Sequence, residues 1–371
     1  MQRSHGIDIL RAVAALSVLI THIGITDYPG IIGESIHDII RLLNHNLIWV
    51  NGGLHGGVII FVVVSGFCIH LGSKSLTNKN FLKIYIIRRF FRIYPLFIFA
   101  LICGYATLLL TNGSSFNSNF FYLDILKNFL SSVFLLYSII PVLPPLGNEI
   151  LSTVIVECML YSFYPLIISF LNNKWKLLII ILFFIQLFSF SLIFFTSLEP
   201  VWIQRNFFTV LIYWWLGAYA AELSLSRNKE NIISNLLKIS KKRQIFISFF
   251  LWIFYILFSN IINFQGSHIF KSLILAVLIA YSLIWIYSLE SKESKNIVKN
   301  IFIYLGVISY SIYVLSLPVS YLVQYYLIEF NYYQYFYILS YAIIIIASYF
   351  CYTFIEKPTH IYGKNLTKNL F

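Results

Sequence analysis

Residues 177–195 read LLIIILFFIQLFSFSLIFF, an apolar run interrupted only by Gln186, Ser189 and Ser191. A helix needs roughly 20 such residues to cross the hydrocarbon of a bilayer. Ile245 to Ile262, Ile269 to Tyr287 and Tyr335 to Phe354 are comparable runs. None of them alternates apolar with polar at a period of two, as a membrane β-barrel strand would. In lipid only helices or closed barrels satisfy the backbone, so the runs predict an all-α, polytopic membrane helix bundle. Composition agrees: 59% of the 371 residues are hydrophobic and 11% are charged, where a soluble domain carries about 25% charge.

Hydropathy and helix breakers place about ten transmembrane helices near 7–26, 54–72, 86–110, 148–171, 177–196, 207–223, 245–263, 268–288, 301–325 and 334–355. The net charge of +12 sits in the links between them, notably Lys74 to Arg92, Arg227 to Arg243 and Lys292 to Lys299. That is the distribution of cytoplasmic loops, not of a nucleic-acid surface. Both termini are then expected in the cytoplasm, which requires an even number of crossings. A further apolar segment at 126–140 must therefore lie in the interface or re-enter without spanning. The whole chain, 1–371, reads as a single transmembrane domain with no appended soluble domain. Cys68, Cys103, Cys158 and Cys351 lie inside apolar runs and have neither disulfide-framework nor metal-ligand spacing. No metal site is expected.

The first span, GIDILRAVAALSVLITHIG (residues 6–24), contains Asp8, Arg11 and His22. Ionisable groups inside a span are costly and mark function by default. Arg11 and His22 fall almost on one helix face, roughly 16 Å apart along the axis. Asp8 is three residues from Arg11 and can pair with it. The alternative is a positive-inside anchor at Arg11 and a hydrogen-bonded packing histidine at His22.

Asp8, Arg11 and His22 resemble the opening motif of the acyltransferase-3 family of integral membrane enzymes. The similarity continues along the chain. GGVIIFVVVSGFCI (56–69) matches a family stretch through Gly57, Phe61, Ser65, Gly66 and Phe67, with Val62 in place of a second phenylalanine. RRFFRIYPLF (88–97) matches Arg-x-x-Arg-x-x-Pro at Arg89, Arg92 and Pro95. Glu157, Tyr161 and Pro165 match a third pattern, and SYSIYVLSLP (309–318) and EKP (356–358) resemble two later stretches. Ser152 stands where many members have tryptophan. Ser316 stands where many have a second histidine, so no catalytic role is carried over to it.

The resemblance implies an acyl-CoA-dependent O-acyltransferase of the bacterial inner membrane. The acyl group, acetyl first among the candidates, would pass from cytoplasmic acetyl-CoA to a sugar hydroxyl of an envelope glycan such as O-antigen lipopolysaccharide or capsule. The expected partners are the lipid bilayer, acyl-CoA and a glycan or lipid-linked glycan acceptor. His22 is the expected base or transient acyl carrier, since imidazole exchanges a proton near neutral pH. Arg11, Arg89 and Arg92 would grip the donor phosphates, and Glu157 would tune or position. Glu157 needs a partner inside the membrane, and Arg11, His22 and Tyr161 are all candidates. Ser65 and Gly66 serve either close helix packing or a hydroxyl near the thioester. The rival class is a transporter or flippase of a glycolipid or polysaccharide intermediate, which would also hold charges inside its bundle.

Overall fold

The computed structural model describes residues 4–25, 54–73, 80–112, 119–171, 174–195, 200–225, 240–261, 267–287, 296–330, 332 and 335–368. The basic links at 74–79, 226–239 and 288–295, whose charges orient the sequence reading, lie outside the described residues. Among the described residues the secondary structure is entirely helical. The helices are α1 (His5–Ile25), α2 (Gly56–Ser73), α3 (Phe81–Asn112), α4 (Asn119–Val133), α5 (Leu151–Leu171), α6 (Trp175–Phe195) and α7 (Pro200–Arg205). They continue with α8 (Phe207–Leu225), α9 (Lys241–Ile261), α10 (Ser267–Tyr287), α11 (Ile297–Val307), α12 (Ser309–Glu329), α13 (Phe336–Cys351) and α14 (Lys357–Leu366).

Nine of the described helices are long and apolar enough to cross a membrane. The remaining expected span coincides with α6, which has 21 residues. The chain is a multi-pass membrane protein. The sequence expects one span at 301–325, but the helix breaks there. Ile308 takes φ −91°, ψ 8°, and separates α11 from α12. Hydropathy is blind to this break because both sides are apolar.

The 126–140 segment is not a span. The helix α4 is 15 residues long, about 22 Å, and ends where Leu135 enters the left-handed region at φ 60°. One side chain meets several groups of the irregular backbone beyond it. The Nδ2 group of Asn128 donates to the carbonyls of Leu143 (3.1 Å) and Pro144 (3.2 Å), and its Oδ1 accepts from the Leu146 N–H at 3.1 Å. Tyr105 donates its hydroxyl to the same Oδ1. Non-helical backbone tolerates membrane depth only when it is served in this way.

The contacts divide the chain into two compact units. One comprises Met1–Ala14, His45–Thr77 and Leu166–Val307; the other comprises Ala15–Asn44, Asn78–Pro165 and Ile308–Phe371. In the first unit α2 packs on α8, and α10 packs on both. Apolar residues surround α2 on every side, as expected of a helix enclosed by others. Its closeness to α8 depends on two glycines facing opposite ways. A Cβ on Gly66 would stand 2.0 Å from the Trp214 carbonyl oxygen, and one on Gly217 would stand 1.9 Å from that of Val63. Small residues let helix backbones approach where lipid supplies no hydrophobic drive.

In the second unit α3 packs on α12 and α14, and α12 packs on α13. Pro318 lies inside α12 and leaves the Val314 carbonyl without its usual N–H donor. The Nδ2 group of Asn148 fills that role at 2.9 Å and also donates to the Ala100 carbonyl at 3.2 Å, tying α12 to α3.

The glycine seam of the first unit yields a test. Gly217→Ala forces backbone against backbone, and overpacking of this kind costs about 1–3 kcal/mol. The variant is expected to unfold at lower temperature in detergent, followed by tryptophan fluorescence. Gly72→Ala, whose Cβ would meet nothing within 4 Å, should leave the midpoint unchanged. Equal midpoints for Gly217→Ala and wild type would refute the seam.

Candidate functional site

The site is built in the second unit from two helix turns. Tyr85 and Arg89 are four residues apart on α3; Glu157 and Tyr161 are four apart on α5. Residues at this spacing share a helix face. Tyr161 donates its hydroxyl to Glu157 Oε1. Tyr161 is therefore a partner of Glu157, one of the three the sequence left open. The arrangement depends on Pro165. Inside α5 it withholds the N–H that would meet the Tyr161 carbonyl, and the Tyr85 hydroxyl donates to that carbonyl instead, at 3.0 Å. Through this bond the proline locks α3 to α5.

The guanidinium of Arg89 lies between the two tyrosines, with its carbon 5.8 Å from the Tyr85 ring centre and 5.9 Å from that of Tyr161. Attraction between a cation and an aromatic face extends to about 6 Å. The same groups line a cavity of about 200 Å³. Its polar wall is Tyr85, Arg89, Tyr94, Tyr161 and Ser162; Ile86, Phe90, Ile93 and Leu135 form the apolar wall, and Cys158 joins them. Tyr94 fixes the position of the α4 end by donating to the Val133 carbonyl at 2.9 Å.

Two further layers adjoin this cavity. On α12, Tyr310 lies in the fields of Cys158, Glu157, Glu356 and Tyr161, and its hydroxyl donates to the Ile93 carbonyl at 3.3 Å. Glu356, in a π-helical turn between α13 and α14, accepts from Ser311 Oγ at 2.7 Å. The second layer is cationic. Around His360 on α14 are the charges of Arg92, Lys364, Arg89 and Arg88, and Arg88 Nε donates to Thr367 Oγ1 at 2.8 Å. Cations from α3 and α14 thus adjoin a pocket lined by Tyr161, which donates to Glu157. Chemically, such an arrangement can attract a polyanion at its cationic part and offer hydrogen-bonding hydroxyls from the cavity.

The expected site residues divide between the units. Arg89, Arg92, Glu157 and Tyr161 fall in the second, as does His22, half-buried in the last turn of α1. Asp8, buried, and Arg11, half-buried, belong to the first unit, as do Ser65 and Gly66. Ser65 accepts a long hydrogen bond from Trp214 Nε1 at 3.4 Å beside the close approach at Gly66. Both contacts serve helix packing, one of the two alternatives for these residues.

Sequence reasoning passed over two features. Glu356 was visible only as part of EKP, with no indication that it would turn toward Ser311. In the first unit His70 Nε2 lies 2.9 Å from Glu222 Oε2, the side chains 1% and 17% exposed, with Trp175 edge-on to the imidazole at 5.0 Å. Two ionisable groups inside apolar helices were the available signal. Their separation of 152 residues hid the pairing.

A family model described as an acyltransferase domain matches residues 4–355. Searches of curated proteins and of solved structures gave no match.

The Tyr85–Pro165 relation can be tested without assaying activity. Tyr85→Phe leaves the Tyr161 carbonyl without a donor, and an unsatisfied buried group costs about 1–3 kcal/mol. Pro165→Ala returns the helix N–H, so the double variant should be more stable than Tyr85→Phe alone. Strictly additive destabilisation in the double-mutant cycle would refute the coupling.

Proposed function

The chain belongs to this acyltransferase-3 family and is a membrane acyltransferase; on that premise we propose that it transfers an acyl group, acetyl in the first instance, from cytoplasmic acyl-CoA to a sugar hydroxyl of an envelope glycan. The observation that carries the reading is the cationic cluster of α3 and α14 at a cavity with Tyr161, the hydrogen-bond donor to Glu157, in its wall. A CoA thioester matches it in charge. Its phosphates would meet Arg88, Arg92, His360 and Lys364, while its acyl arm would extend past Arg89 along the apolar wall. The charge distribution in the sequence adds a cytoplasmic mouth with both termini inside, and the family resemblance implies a bacterial inner membrane.

In the transfer, His22 takes the proton of the acceptor hydroxyl as the oxygen attacks the thioester carbonyl. The carbon–sulfur bond breaks, and the CoA thiolate leaves and is protonated. Donors near the carbonyl oxygen stabilise the charge that develops there, and Arg89 and Tyr161 are the nearest candidates in the cavity. Glu157 acts by holding the Tyr161 hydroxyl. Arg11 falls in the other unit, and the reading rests on residues of the second.

Donor binding is tested first. Arg89→Ala should weaken binding of a non-hydrolysable acyl-CoA analogue by roughly tenfold or more, the range of a lost charge-assisted hydrogen bond. Arg89→Lys should recover part, because the planar fork is lost. Unchanged affinity in both variants would refute the donor site.

His22 is tested by the acyl content of purified glycan, normalised to enzyme in the membrane. His22→Ala should abolish acylation. His22→Gln keeps hydrogen bonding but cannot shuttle a proton at neutral pH, so it should be equally inactive. Near-normal acylation by the glutamine variant would assign His22 to packing.

A further inference from the structure

The second turn of α10 contains a lysine that the reaction does not use. Lys271 is 1% exposed, inside a helix apolar enough to span. Among the described residues it has neither a hydrogen-bond acceptor nor a carboxylate partner. Lysines near the ends of membrane helices normally extend their ammonium into interfacial water; this side chain keeps almost none of its surface exposed. One turn earlier, His268 Nε2 is buried and has no hydrogen-bond partner, and its imidazole lies in the field of Lys271. The described carboxylates of this unit do not answer them. Glu222 is paired with His70, and Asp8 lies on α1 with its backbone against Gly306.

The surroundings are polar. Ser272 lies near the buried Tyr213, which accepts from Gln186 Nε2 at 2.7 Å. His268 lies in the first turn of α10, whose backbone N–H groups lack intrahelical acceptors and favour an anion. Among the described residues the cation has no counter-charge, and a buried cation in that state is expensive in this medium. An anion supplied from outside the chain resolves that cost.

Farther along the same helix is an apolar cavity of about 250 Å³, whose lining includes Phe249 and Trp252 of α9 and Ile279, Ser282 and Ile286 of α10. Eleven residues separate His268 from Ile279 and Lys271 from Ser282. Eleven steps of 100° return nearly to the same helix face. Cationic donors at the start of one face and an apolar groove farther along it match an amphiphile with an anionic head.

We propose that Lys271 and His268 form a binding site for the phosphoryl head of a membrane lipid, with the α9–α10 groove receiving its hydrocarbon chain. The site requires nothing of the donor assignment. It adds to the acyltransferase reading a second place where the enzyme holds a membrane-borne molecule.

The test uses the purified full chain in detergent and follows its unfolding by tryptophan fluorescence. Farnesyl phosphate, dihexanoyl phosphatidic acid, inorganic phosphate and farnesol are titrated separately. Saturable stabilisation by farnesyl phosphate or by the phosphatidic acid is expected, and which of the two binds at lower concentration distinguishes an isoprenyl from a diacyl source. Lys271→Gln should raise the half-saturating concentration roughly tenfold or more. Lys271→Met, which suits an apolar span and should insert and fold, should do the same, and Lys271→Arg should retain binding.

Equal stabilisation of wild type and Lys271→Met would overturn the site, because the amine would then be a neutral packing group. Inorganic phosphate acting as strongly as the lipids would overturn the lipid assignment, and farnesol acting as strongly would overturn the phosphoryl contact. Binding of the acyl-CoA analogue is measured on the same preparations. Lysine-dependent lipid binding without analogue binding leaves this site standing while the donor reading fails; analogue binding without lipid binding does the reverse.

Discussion

Inside a bilayer there is no water to accept or donate a hydrogen bond, so each backbone group that a helix does not satisfy must be met by a side chain. Much of the second unit follows from that constraint. Pro165 and Pro318 each open a gap in a helix ladder, and each gap is filled from another element. Tyr85 reaches the carbonyl of Tyr161, and Asn148 reaches that of Val314. The defects thereby specify which helices meet and in what register. A proline-free α5 would have no reason to hold Tyr85, and with it Arg89, in its present place.

The same constraint governs charge. An ion that leaves water must find compensation in the protein, and the chain does this differently at each site. Glu157 accepts from Tyr161 in the next turn of its own helix. His70 and Glu222 compensate each other across two helices. Arg89 lies against aromatic faces, which attract a cation without supplying a fixed negative charge. That last arrangement leaves a binding site open: an aromatic wall costs less to leave than a carboxylate when an anionic ligand arrives.

Spans were legible because hydropathy averages over twenty positions and tolerates local irregularity. The non-spanning character of 126–140 was legible from charge parity, although the means, Asn128 serving four backbone and side-chain groups, was not. The break at Ile308 left no trace, since a turn between apolar flanks changes neither hydropathy nor charge. His70–Glu222 and Ser311–Glu356 were illegible for another reason: a pair distant in sequence exists only once helices have packed. Lys271 was in plain view within an apolar run. Its position near the end of the run is that of an ordinary interfacial anchor, and only its burial sets it apart.

The Arg-x-x-Arg motif carries that lesson furthest. Two arginines three residues apart read as one fork, yet three helical steps rotate a side chain by 300°, leaving the two about 60° apart around the axis. On α3 that offset is enough to turn Arg89 toward α5 and its tyrosines, while the charges of Arg89 and Arg92 both reach His360 on α14. The motif thus offers one cation held by aromatic contact beside a cavity and a second that belongs to the cationic cluster. An extended polyanion with a neutral arm meets both kinds of site along its length, whereas a compact anion would engage only one.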